Sequence, residues 1–157
     1  MGARSFVEWC FENEKEIELA VVETKLKSCK QKVGGVPSNH AFVSDPTAIT
    51  AIRNVQELKS VVVELRTRLN GRPETMVLRF PERWLSVVRQ TKSFYAGKVQ
   101  GDIIFLKYTE NFSVAEICKK LGIKRSSFFL FRSEILVVAE AIAFGLGLIK
   151  KRDSTAL

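Results

Sequence analysis

The stretch that most restricts what this chain can become is NFSVAEICKKLGIKRSSFFLFRSEIL, Asn111 to Leu136. Ser113 and Glu116 stand at the S-x-x-E spacing of a capping box, in which each side chain satisfies a backbone donor at the start of a helix. Val114, Ile117, Cys118 and Leu121 follow at i, i+3, i+4 and i+7 and give that short helix one apolar face. Gly122 ends it, because glycine enters the left-handed conformation of a tight turn without a Cβ penalty. Ile123 is placed to plug the corner. A second helix is expected to start at Lys124 or Arg125, with Phe128, Phe131 and Ile135 spaced to pack back onto the first. Short helix, glycine turn and second helix, with the compact Cys118 allowing close approach, form the pattern of a helix-turn-helix. An αα-hairpin that touches no DNA uses the same packing.

The rest of the chain reads as helical support for this module. No Pro or Gly falls between Ser5 and Lys32, and Phe6, Trp9, Cys10, Ile17, Val21, Val22, Leu26 and Cys29 recur at three- and four-residue spacings, which predicts one amphipathic helix. Val33 to Asp45 gathers Gly, Pro, Asn and Ser and reads as a loop or linker. At Ser44-Asp45-Pro46 a capping residue precedes a proline suited to a first helical turn, and Ile49, Ile52, Val55, Leu58, Val62, Leu65 and Leu69 predict a long helix with a packing seam. Asn70-Gly71-Arg72-Pro73 stops it. Met76 to Phe80 is a short extended stretch, Pro81 opens a helix to about Tyr95, and another helix covers Val99 to Tyr108. The expected fold class is all-α: N-terminal helix, loop, long helix and a C-terminal helix-turn-helix whose last helix runs to about Gly147. The expected divisions are 1–32, an amphipathic helix; 33–95, loop and helical scaffold; and 97–149, the DNA-binding module.

The 157 residues suit one ordinary domain or a small domain with a helical extension. The net charge of +8 is uneven: residues 1–50 carry 6 Lys and Arg against 7 Asp and Glu, residues 51–100 carry 10 against 4, and residues 101–157 carry 9 against 6. A basic surface suits a polyanionic partner, because each neutralised phosphate releases condensed counterions. Three cysteines, Cys10, Cys29 and Cys118, form neither a disulfide framework nor a four-ligand zinc site and read as reduced thiols. The N-terminus lacks the apolar run of a secretory signal, and Ile135 to Ile149 is too short, and interrupted by Glu140, to span a bilayer. The expected location is the cytoplasm, with no membrane association.

Lys124, Arg125, Ser126 and Ser127 stand where a recognition helix points its first turn into the major groove. Arg125 can donate two bonds to a guanine edge, and either serine can reach a base or a phosphate. Taken singly, the two cations also read as solvated charges and Ser126 as a helix cap. Lys119 and Lys120 are placed to meet phosphates, as a solvated face would be. Tyr108 is expected to contribute its hydroxyl to backbone contacts. Phe129 and Arg132 complete the candidate DNA-binding set, although Phe129 and Leu130, large and apolar, can instead reach thymine methyls, pack on a partner or fill a core, and the core is the expectation. His40 lies in a Gly/Pro/Ser loop without metal-spaced partners, and no phosphate-cradling glycine motif occurs, so neither an enzyme nor a cofactor or metal site is expected.

WLSVVRQTKSFYAGKVQGDIIFLKYTENFSVAEICKKLGIKRSSF resembles the helix-turn-helix of sigma-factor region 4 and, more closely, phage transcriptional regulators of the RinA and ArpU kind. The GGVPSN and SDPTA stretches are also similar to that group, so the likeness spans roughly Val33 to Leu148. The resemblance implies a small helical activator of late phage genes in the bacterial host cytoplasm, binding double-stranded DNA and potentially contacting host RNA polymerase. Ser113 and Glu116 correspond to the box, Gly122 to the turn and Lys124 to Ser127 to the reading end. The chain departs from the family pattern at Phe128 to Phe131, where more polar residues are usual. A homo-oligomer, most simply a dimer, is expected because the long helix and the apolar run from Leu136 to Ile149 offer more hydrophobic face than one small chain hides. The rival expectations are a phage small terminase subunit, which binds a packaging site as a ring, and a helical adaptor that binds only protein.

Overall fold

The structure, a computed structural model, describes residues 2–32, 56–69 and 72–150. The loop from Val33 to Asp45 with His40, and the part of the long helix from Asp45 to Val55, lie outside the described residues. The chain is mostly helical with one small two-stranded sheet, so it is not strictly all-α. Elements follow in the order α1 (Ala3–Glu12), α2 (Glu14–Lys32), β1 (Ser60–Leu69), β2 (Arg72–Arg79), α3 (Pro81–Phe94), α4 (Val99–Ile104), a π-helical turn (Phe105–Thr109), α5 (Val114–Leu121) and α6 (Arg125–Gly145). Among the described residues no helix is long and apolar enough to cross a membrane.

Contacts divide the chain into two compact units, Met1–Glu14 with Arg83–Leu157, and Lys15–Glu82. The expected single N-terminal helix is broken at Asn13. Its N–H still bonds to Trp9 O, but φ is −114° and ψ is 23°, and its side-chain amide also donates to Trp9 O at 2.9 Å. That local bond competes with helix propagation, the usual reason Asn favours helix ends.

In the Lys15–Glu82 unit, the segment expected to complete the long helix is instead an antiparallel hairpin. Val61 pairs with Leu78, Val62 with Val77 and Val63 with Met76, and the register shifts between Glu64 and Arg68 before Leu69 meets Arg72. Val61, Val63 and Leu78 are buried, whereas Val62 and Val77 are 57% and 65% exposed. Leu58, Val62, Leu65 and Leu69 fit a helical seam, but the β-branched run Val61-Val62-Val63 is stiff at χ1 and favours a pleated, half-buried strand. Asn70-Gly71, read in the sequence as a helix stop, is the dipeptide that two-residue hairpins favour. The extended stretch expected from Met76 thus begins earlier, at Arg72. At the open end Phe80 N–H donates to Lys59 O at 2.9 Å, while the Glu82 carboxylate accepts from Leu58 N–H at 2.9 Å and pairs with Lys25.

The other unit is wholly helical. Val7, Cys10 and Phe11 of α1 are buried with Leu85, Val87 and Val88 of α3, Ile103 and Ile104 of α4, Ile117 of α5, and Phe128, Ile135, Leu136, Ala139 and Ala143 of α6. Thr91, a buried polar residue of this core, bonds its hydroxyl to Val87 O at 2.8 Å, and Lys92 pairs with Glu14. Gly101 lets α4 pass close to the end of α3: a Cβ there would lie 2.3 Å from Tyr95 O. After α4 the backbone widens, with Glu110 N–H reaching Phe105 O five residues back. This wider turn contains Tyr108, which is buried against Phe11 with ring centroids 5.2 Å apart.

Candidate functional site

The start of α5 is built as its sequence requires. Ser113 N–H donates to Glu116 Oε2 at 2.8 Å, the Ser113 hydroxyl donates to the same oxygen at 2.6 Å, and Glu116 N–H returns to Ser113 Oγ at 3.4 Å. Hydrogen bonds from the Ser113 hydroxyl and amide hold the Glu116 carboxyl below its ordinary range. Its negative charge is therefore tied to the N-terminus of α5, where the helix dipole favours it. Gly122 closes α5 at φ 64° and ψ 30°, and Ile123 N–H bonds to Cys118 O at 3.1 Å. Ile117 is fully buried, while Val114, Cys118 and Leu121 are half-buried.

Helix α6 begins at Arg125 with Lys124 as its N-cap and no side-chain cap bond, so Ser126 is a first-turn residue rather than the cap. Its inward face is fixed by Phe128, Ile135, Leu136, Ala139 and Ala143. Residues three and four apart are neighbours on a helix, so Arg125, Ser126, Phe129 and Leu130 form one continuous patch over the first two turns. Phe129 and Leu130 are 44% and 59% exposed, which corrects the expectation that they fill the core. The core takes one phenylalanine at this level, Phe128, and the helical rotation of about 100° per residue carries the next two side chains outward. Phe129 packs edge-on to Phe128 at 5.4 Å, and the Arg125 guanidinium lies 5.8 Å from the Phe129 ring centre.

Lys119, Lys120, Lys124, Arg125 and Ser126 are exposed and Ser127 is half-buried. Lys120 Nζ sits 4.2 Å from the Phe112 ring centre. No carboxylate lies on α6 between Arg125 and Ser133, and that of Glu116 is bonded to Ser113. The expected residues thus lie at the end of α5 and the start of α6, two elements that are consecutive in the chain, with Arg125 beside the exposed Phe129.

Two residues are placed otherwise. Arg132 Nε donates to Glu8 Oε1 at 2.7 Å and its Nη2 pairs with Glu8 Oε2, a two-point contact between α6 and α1. Tyr108, expected at the DNA backbone, is buried, and its hydroxyl donates to Glu8 Oε1 at 2.9 Å. Burial pushes the Glu8 carboxyl up, but the bonds from Arg132 and Tyr108 and the charges of Arg132 and Lys107 outweigh it and hold the group below its ordinary value. Burial and the neighbouring Glu8 push the Tyr108 hydroxyl well up, so it is a fixed donor. Glu8 has no signal in the sequence: it is one acidic residue among seven in the first 50, separated from Arg132 by 124 positions.

Among the described residues no three His, Cys, Asp or Glu side chains are gathered for a metal ion. No protein-family model, curated protein or solved structure matches the chain, and the reading of this face rests on its residues.

Proposed function

We propose that α5, the Gly122 turn and α6 act as a helix-turn-helix and that the protein is a sequence-specific double-stranded DNA-binding regulator of transcription, an activator of late phage genes in keeping with its resemblance to RinA and ArpU regulators. The observation that carries the reading is the exposed first turn of α6: Lys124, Arg125 and Ser126 are solvent-facing on a helix whose opposite side is anchored by fully buried Phe128 and Ile135. A rigid helix that presents an arginine and small hydroxyls at its start has the chemistry for a guanine edge and the adjoining backbone. Lys119 and Lys120 on α5 supply charges for phosphates flanking the groove. Arg132, held by Glu8, is assigned to the helix packing and not to DNA.

The same reading includes a homodimer. Val137 and Phe144, seven residues apart on the exposed side of α6, are the apolar residues a second copy would cover, and the nearby carboxylates of Glu134 and Glu140 are already engaged by Gln100 and Arg4. Sedimentation as a monomer at tens of micromolar would remove this part.

Selection from a random duplex pool, followed by binding measurements on the selected site, tests the main reading. Replacing Lys124 and Arg125 by Ala should abolish site preference while leaving helicity and the unfolding midpoint nearly unchanged, since exposed substitutions shift stability by about 0.5 kcal/mol or less. Unchanged affinity and preference in the double variant would place a protein-only adaptor first. A large ring bound at a packaging site would favour the terminase role over transcription.

A further inference from the structure

Phe129 and Leu130 turn much of their apolar surface to solvent, Phe129 with one edge against Phe128. Each is exposed, yet each stands on the helix proposed above to enter the major groove, beside Arg125 and one turn from Ser126. Resting on that assignment, we infer that Phe129 and Leu130 read the 5-methyl groups of thymine, so that the preferred site places thymines beside the base contacted by Arg125.

Arg125 stands four residues before Phe129 on α6, Lys124 precedes it as the N-cap, and Lys119 and Lys120 lie in the last turn of α5, all four exposed, while the one carboxylate of α5, Glu116, is held at the far end of that helix by Ser113. Exposed cations on the same two helices as an apolar pair fit a polyanionic surface that also offers apolar groups. The duplex major groove is such a surface: phosphates line its edges, and the thymine methyl is its one apolar protrusion. A protein partner with an acidic rim would fit the charges equally and is an outcome of the test. Phe129 has a second effect, because its ring faces the Arg125 guanidinium at 5.8 Å and restricts where that arginine can point. Its neighbour Leu130 occupies a position where most recognition helices place a polar group. A polar edge opposite it would be desolvated without a partner, whereas a methyl group is accommodated.

Replacing thymine by uracil in a duplex removes the methyl groups and leaves charge, pairing and every hydrogen-bonding edge unchanged. The probe is the duplex selected from a random pool by the full-length protein, synthesised once with thymine and once with uracil at every thymine position. The wild type should bind the uracil duplex more weakly by roughly fourfold for each methyl contacted, the equivalent of burying one methylene at about 0.8 kcal/mol. In Phe129→Ala/Leu130→Ala the ratio between the two duplexes should fall to about one, with the salt dependence of binding retained. Both side chains are exposed, so circular dichroism should show the fold intact, and Leu130→Asn gives a second variant that keeps side-chain size. Equal wild-type binding to both duplexes overturns the inference while leaving DNA binding established. Retained discrimination in the double variant overturns it too, since the methyls would then be read elsewhere. Failure of the wild type to select any duplex overturns both this inference and the reading beneath it, and loss of self-association in Leu130→Ala would make the pair a subunit contact instead.

Discussion

Glu8 is the residue whose removal should cost this fold most for its size. It accepts from Tyr108 and from two nitrogens of Arg132, and so joins α1 to α6 and to the π-helical turn. In Glu8→Ala the buried Tyr108 hydroxyl loses its acceptor, and an unsatisfied buried donor costs about 1–3 kcal/mol. The Arg132 side chain is 34% exposed and can turn toward water, so its lost pairing adds about 1 kcal/mol at most. The sum, about 1–4 kcal/mol, corresponds to a melting temperature lower by about 2–16 °C for a chain of this length. Urea unfolding followed by circular dichroism measures it directly. Adding Tyr108→Phe to Glu8→Ala should return part of the loss, because both members of the orphaned bond are then gone.

The same site makes a pH-dependent contribution of known sign. The Glu8 carboxyl is held below its ordinary value in the fold, so the unfolded chain takes up its proton first on acidification. Its stabilisation is complete above about pH 5 and is lost as the pH falls through the folded value, below the unfolded value of about 4.3. The gap in stability between wild type and Glu8→Gln should therefore be constant near neutrality and close in acid. A Glu8→Ala protein that unfolds at the wild-type urea midpoint at pH 7 would refute the assignment of Glu8 as the residue that fastens α1.

Lys119→Ala, at a proposed phosphate contact, should weaken binding to all duplexes alike and reduce the slope of log affinity against log salt by about one unit; an unchanged slope would remove it from the interface. Gly101→Ala should destabilise the fold by about 2–4 kcal/mol in urea unfolding, because the new Cβ would meet the Tyr95 carbonyl at 2.3 Å and backbone cannot give way cheaply. In Gly122→Val the new Cβ meets no neighbour within 4 Å, yet at φ +64° a β-branched residue is strained, and a loss of about 1–2 kcal/mol is expected, with Gly122→Asn milder.

The α5 start and turn are legible because their determinants are local: a serine and a glutamate three apart, four apolar residues on one face, and a glycine where φ must be positive. The hairpin was misread for a related reason. Leu58, Val62, Leu65 and Leu69 satisfy a helical spacing, while Val61 and Val63 satisfy a strand spacing in the same residues, and periodicity over so short a window supports both. Three consecutive β-branched residues followed by Asn70-Gly71 were the signals that separate the two, and they act through χ1 stiffness and turn geometry rather than through hydrophobic pattern. The break at Asn13 is of the same kind, a single side chain outcompeting the helix by bonding to its backbone.

Arg125 and Arg132 show where local pattern ends. Seven residues is nearly two helical turns, so the two arginines lie on almost the same side of α6, about 10 Å apart along its axis. Nothing in the sequence around them distinguishes their roles, and both are plausible groove residues from spacing alone. The difference comes from α1, which delivers Glu8 to the level of Arg132 and leaves Arg125 uncovered. Two charge-assisted bonds to the Glu8 carboxylate hold the second arginine in place, and a charge so engaged would have to give up its partner before meeting a phosphate or a base. Arg132 is therefore withdrawn from the surface that α6 can offer a partner, while Arg125 stays exposed beside Ser126, Phe129 and Leu130. An N-terminal helix more than 100 positions away in sequence makes that difference between the two arginines.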